Sequence, residues 1–323
     1  MRNRAISSSL ILLLLLFTAC KDSTSPKPSQ FTHPQGIVST QISGLGGRPF
    51  GIGVTSTGDV LVTEQDLNRA VHVGAAGSPM TNIPVGADPG DVVANRAATQ
   101  AIVSGFNDGT LSFINLANNT VTQSIHMPSA NAYRLAFSPD ETVLYVTTTD
   151  GHIYAVNPSA HTVGTTKQYA GSLQGLAVDH AGHAVFISST AGVISRLDPA
   201  SLASTATAAV SCNAQDIAVS ANDSELYVAC ENGAVVVLNA STLAAKNTIV
   251  VPSGGPFGLA VTPDNAQLYV TSPTTGRLTI IDVASGSVIK TLIVTGTPRR
   301  VAFSASGDKA YVANEGNWID VIQ

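Results

Sequence analysis

Charged side chains recur at a nearly constant interval along this chain. Asp91, Arg134, Asp216 and Arg300 each open a short run of apolar and small residues, and glycine opens the matching runs at Gly51, Gly175 and Gly258. The seven runs start 40, 43, 41, 41, 42 and 42 residues apart. Arg48 and Arg299 lie just upstream of two of them, and Glu64, Asp108, Asp150, Glu231 and Glu315 fall in the turn-like segments between runs. An arginine fork suits a carboxylate or a phosphate. The same charges could instead pair between neighbouring repeats, as Asp91 and Arg134 would. Acid–base chemistry would find carboxylates here, but no histidine stands in this column. The seven histidines stand at 33, 72, 126, 152, 161, 180 and 183, with His180 and His183 in one turn, Asp179-His-Ala-Gly-His183. HExxH, CxxC and HxH pairs are absent, and so is a GxSxG elbow, so neither a metal site nor a nucleophile is signalled. Gly44-Leu-Gly-Gly47 lacks the following helix of a dinucleotide site, and Pro49 intervenes. No cofactor is expected.

Whatever positions these residues must repeat with them. Each run leads to a turn such as Ser138-Pro-Asp140 or Thr262-Pro-Asp-Asn265. In these turns proline presets the dihedral, and Asp or Asn bonds back to the backbone. A second strand follows, as in Leu144-Tyr-Val-Thr147, Leu226-Tyr-Val-Ala229 and Leu268-Tyr-Val-Thr271. Hairpin signals come next, at Asn107-Asp-Gly109, Asp150-Gly151 and Asn232-Gly233. A third strand ends in Asn or Asp, and a fourth completes the unit. Four antiparallel strands per unit of about 42 residues, repeated, predict an all-β, seven-bladed β-propeller. The seventh unit stops at its third strand, Trp318 to Gln323. Ile37 to Ser43 reads like the missing fourth strand, so the amino-terminal strand should close the last blade and remove an exposed edge. A ring of eight finds no spare segment. Residues 36–323 are expected to form this single propeller.

The start of the chain reads as an address. Arg2 and Arg4 precede the apolar run Leu10 to Phe17 and then Thr18-Ala-Cys20, the pattern of a secretory signal over residues 1–19. Residues 20–35, with Ser-Thr-Ser-Pro-Lys-Pro-Ser, read as an extended, mobile tether. Without residues 1–19 the chain carries 14 Lys and Arg against 21 Asp and Glu, a side-chain charge of −7. That acidity and the 11% charged content argue against nucleic acid. Aromatics make up 5%, which leaves little material for stacking chemistry.

Tyr145-Val-Thr147, Tyr269-Val-Thr271 and Tyr311-Val-Ala-Asn314 resemble the YVTN-repeat β-propellers of bacterial and archaeal envelope proteins over residues 36–323. Leu16-Phe-Thr-Ala-Cys20 resembles the lipobox of bacterial lipoproteins, which implies acyl chains on Cys20. The membrane contact would then be the lipid anchor alone, and Lys21, by resemblance to enterobacterial sorting, favours the outer membrane. The YVTN resemblance implies a fold more firmly than an activity. Relatives include binding modules, lactone-opening enzymes and a lyase. Two readings follow: a monomeric, non-catalytic scaffold binding an envelope protein or a small anionic ligand, or a lactonase or lyase acting on a small anion. Either would use the channel-mouth set Arg48, Glu64, Asp91, Arg134, Asp216, Glu231, Arg299, Arg300 and Glu315. Cys212 and Cys230 flank one strand hairpin at nearly equal distances from its turn. They are placed for a disulfide, or else they are two small buried thiols.

Overall fold

The computed structural model describes residues 33–323. Seven four-stranded antiparallel sheets form a ring. Their innermost strands touch one another in sequence order, and the inner strand of blade 7, Pro298–Phe303, returns to that of blade 1, Pro49–Val54. Blade 7 is completed from the other end of the chain. Val38–Ser43 pairs antiparallel with Trp318–Ile322, and Ile37 and Gln323 exchange backbone hydrogen bonds below it. Inside this joint the buried carboxylate of Asp320 accepts from Gln41, Trp318 and Asn314 at 2.8, 3.0 and 2.9 Å. The cysteine at position 20, the signal segment and most of residues 20–35 lie outside the described residues. The last part of that stretch is fixed: His33 Nδ1 lies 2.8 Å from Asp264 Oδ2, and Tyr269 donates its hydroxyl to Pro34 O at 3.3 Å. His33 and Pro34 thus dock on blade 6, which supplies partners for a ring nitrogen and a carbonyl that an extended linker would leave to water.

The buried apolar side chains divide into seven clusters, one at each junction between neighbouring blades. No blade could bury both of its faces alone, so packing couples the repeats into a ring. The Tyr-Val-Thr triplets have a physical role at these junctions. In blade 3, Tyr145 donates its hydroxyl to Pro199 O of blade 4 at 3.1 Å. In blade 6, Thr271 Oγ1 accepts from Gly258 N at 2.9 Å and donates to Arg299 O of blade 7 at 2.7 Å. In these two blades one residue of the triplet therefore joins its sheet to the next by a hydrogen bond as well as by packing.

Small residues mark where the inner strands crowd. A Cβ at Gly258 would stand 2.3 Å from Arg299 O, and one at Gly51 would stand 2.8 Å from the Asp91 Cα. Glycine in one blade thus makes room for the charged residue of the next.

Candidate functional site

At the mouth end, the inner strands of blades 1, 2, 3, 4, 5 and 7 carry an irregularity in register, for example between Ala132 and Arg134 and between Pro298 and Val301. Such a bulge re-aims a side chain. Here it turns Asp91, Arg134, Asp216 and Arg300 toward the axis. Arg134 bridges two carboxylates, Nη1 to Asp91 Oδ2 at 2.9 Å and Nη2 to Asp216 Oδ1 at 3.1 Å. Arg300 Nη1 approaches the other oxygen, Asp216 Oδ2, at 2.8 Å. Blades 2, 3, 5 and 7 are thereby tied across the axis by a neutral, nearly buried tetrad. The two carboxylates also accept backbone amides of the following blades, Leu135 N at 3.1 Å and Leu259 N at 3.3 Å. Burial pushes the Asp91 carboxyl above its ordinary range, against the pull of Arg134 and Arg300. Burial alone would weaken the charge on Arg300, but Asp216 beside it, with Tyr133 and Asp91 near, holds the guanidinium more firmly protonated than in water.

Arg300 Nε and Nη1 have no well-directed acceptor. Aromatic faces occupy that side instead: the guanidinium carbon lies 5.0, 5.5 and 5.8 Å from the ring centres of Phe257, Tyr133 and Phe50. Arg299 stands over Phe257 and Phe50 at 5.0 and 5.5 Å and donates from Nε to Glu315 at 2.8 Å. Phe106 packs edge-on against Tyr133 with centroids 5.9 Å apart. A cation–π contact is worth about 0.5–1 kcal/mol where exposed and about 2 kcal/mol or more where desolvated. The aromatic residues are few, yet four of them converge on the axis, so the low overall content misleads about stacking.

The remaining mouth residues take separate places. Glu64 is fully buried and holds the preceding loop, accepting Gly47 N at 2.7 Å and pairing with Arg69. Arg48 is exposed on the rim, its Nε 3.9 Å from Asp66 Oδ2. Glu231 is exposed and accepts from Asn213 and Gln215 at 2.5 and 2.7 Å. Asp108 and Asp150 cap their own turns. Opposite the aromatic floor, blades 4 and 5 contribute Gln174 and Gln215. Phe50, Tyr133, Gln174, Gln215, Phe257 and Arg299 share one repeat column, each directly before a run-opening residue. Five of them escape a search for charge or histidine, and alignment of the repeats alone finds them.

On the same rim, Cys212 and Cys230 are joined by a disulfide with Cα atoms 5.5 Å apart. His180 and His183 lie on the opposite face. There Asp223 of blade 5 accepts from His180 N and Ala181 N, and lies 2.7 Å from His180 Nδ1. Among the described residues, no three His, Cys, Asp or Glu side chains are grouped to hold a metal ion.

No family model matches this chain, and no curated protein matches its sequence. Among solved structures it is similar to hydrazine synthase of Kuenenia stuttgartiensis. The TM-score is 0.79 at 16% identity, over 85% of this chain and 95% of that one. Likeness at that identity is a likeness of fold.

Proposed function

We propose that this chain is an exported, lipid-anchored propeller of the bacterial envelope, similar to the YVTN-repeat proteins, that binds a partner at its mouth without catalysing a reaction. The observation that carries this reading is the commitment of the axial charges to one another. Asp91, Arg134, Asp216 and Arg300 form a neutral set under aromatic cover, and Arg299 is shared with Glu315. A lactonase or lyase would need a group poised to take a proton from a substrate at the mouth; the exposed carboxylate there, Glu231, is instead engaged by the side-chain amides of Asn213 and Gln215. What the mouth offers to solvent is mixed in polarity: the edges of Phe106 and Phe257, the amides of Gln174 and Asn213, Glu231, and the outer nitrogens of Arg299. Partly exposed aromatics with an arginine and hydrogen-bonding amides fit the composition of protein-binding surfaces. Anchoring at Cys20 would keep this face within the envelope, and Lys21 favours the outer membrane.

The experiment is capture from solubilised envelope with the full chain and with a Phe257→Ala, Glu231→Arg variant, identifying proteins and small molecules by mass spectrometry. The reading expects one protein retained by the parent and lost at least tenfold from the variant. Capture that the variant leaves unchanged refutes the mouth as the site. Turnover of a lactone panel by the parent refutes the absence of catalysis.

A further inference from the structure

The seven outer strands carry equivalent positions, defined by the third-strand residue each one faces. Ile42, Ile83, Ile125, Ile249 and Leu292 occupy this position in blades 7, 1, 2, 5 and 6. Each reaches into the junction with the next blade. Blade 3 has Lys167 there, and blade 4 has Ala208, opposite Ile194. Where Ala208 stands, a cleft of about 380 Å³ opens between blades 4 and 5. Ala208 and Val210 form one wall, and Val236, Leu238 and Leu243 the other. The Cys212–Cys230 disulfide closes the mouth end. No charged side chain lines it; its polar groups are Ser211, Asn232 and Thr248. Ala208, Val210, Ala234 and Val236 remain only partly buried against the closed core below.

We propose that this cleft is a binding site for an uncharged aliphatic chain. Its volume lies within the roughly 300–1,000 Å³ of small-molecule sites. Its walls offer apolar contact on two sheets and nothing to compensate a buried charge, which selects a neutral ligand. The missing aliphatic side chain leaves apolar wall on both sheets that a hydrocarbon would cover. This assignment does not rest on what the mouth binds, although the upper end of the cleft adjoins the rim residues Asn213 and Glu231.

The test uses the full, non-acylated chain with N-phenyl-1-naphthylamine as fluorescent probe and 1-decanol as competitor. Saturable probe binding, displaced by decanol and weakened at least tenfold in Ala208→Ile, is the expected result. Ala208→Ile should melt no lower than the parent, because isoleucine is what the other blades carry. Methyl NMR of the unaltered protein gives a second reading: decanol should shift Val210, Val236 and Leu243 and leave Ile83 unmoved. Absence of saturable binding, binding unaffected by Ala208→Ile, or shifts elsewhere would overturn the proposal. So would a concentration-dependent dimer abolished by Ala208→Ile, because a second copy would then fill the cleft.

Discussion

Replacing Asp216 by alanine is the most direct test of what the axial charges do. Asp216 faces two guanidinium groups, Arg134 at 3.1 Å and Arg300 at 2.8 Å, and accepts Ile217 N and Leu259 N at 3.1 and 3.3 Å. Arg300 is 3% exposed and has no other carboxylate within bonding distance. Removing one partner of a buried ion pair costs about 3–5 kcal/mol, because the survivor stays buried without compensation. For a domain of this size each kcal/mol moves the melting temperature by roughly 2–4 °C. Asp216→Ala should therefore lower it on the order of 10 °C, read by thermal circular dichroism and by the fluorescence of the single tryptophan, Trp318. Asp216→Leu combined with Arg300→Met should recover most of the loss, since apolar replacement of a whole buried pair is often neutral. The opposite outcome is equally specific. Were these charges held in readiness for a ligand, their mutual pairing would contribute little and their removal would be neutral or stabilising. An Asp216→Ala protein melting within 2 °C of the parent would refute the structural role.

Four further outcomes are expected. Cys20→Ser should move the protein from the membrane fraction to the soluble fraction, and unchanged fractionation removes the lipid anchor from the reading. Deleting residues 36–46 strips Gln41 from Asp320 and exposes the edge of blade 7, so the variant should aggregate on size exclusion or melt far below the parent. Denatured, unreduced protein should titrate without free thiol at Cys212 and Cys230; the bridge closes a loop of sequence separation 18, and Cys212→Ser with Cys230→Ser should cost roughly 3 kcal/mol in denaturant unfolding. The turn carboxylate of Asp264 is pushed up by burial, but bonds from Thr262, His33 and Ala266 outweigh this and hold it below its ordinary 3.8. Its contribution is complete above that value and lost as pH falls through the lower folded one, so Asp264→Asn should flatten the stability profile below about pH 4 and leave its shape at pH 7 unchanged.

Much of the ring is legible in the sequence because its causes are local and repeated. Turn residues, the Tyr-Val-Thr triplets and the glycine before a crowded neighbour each recur at the blade interval, and Ile37 to Ser43 carries the pattern of a fourth strand. The mouth is less legible. The column holding Asp91, Arg134, Asp216 and Arg300 is visible, but a side chain that pairs with a neighbour and one that waits for a ligand have the same letters. Which applies depends on whether blades 2, 3, 5 and 7 bring their charges into ion-pair contact across the axis, a relation between residues as distant in sequence as Asp216 and Arg300. The aromatic collar is harder still. Phe50, Tyr133 and Phe257 are ordinary core residues one at a time, and only the closed ring sets them around Arg300.

In a sevenfold scaffold, information about function sits in departures from the repeat. The residues that make a blade a blade are needed seven times and say nothing about a partner. The departures here are few. Blade 7 alone places arginine directly before its run-opening residue, and that Arg299 lies over two phenylalanines that blades 1 and 6 supply at the same position. Blade 5 alone carries a disulfide at its mouth end. Blade 4 alone has alanine where five others have isoleucine or leucine, and it borders the uncharged cleft. Stability of the ring gives no reason for the alanine at 208, whereas the disulfide constrains the unfolded chain and Arg299 is held by two aromatic rings and Glu315. An isoleucine at 208 would pack better, as it does at the same position in blades 1, 2, 5 and 7. A residue that a more stable choice could replace is where selection for binding would leave its mark, and Ala208 falls on the junction beside the bridged part of the mouth rim.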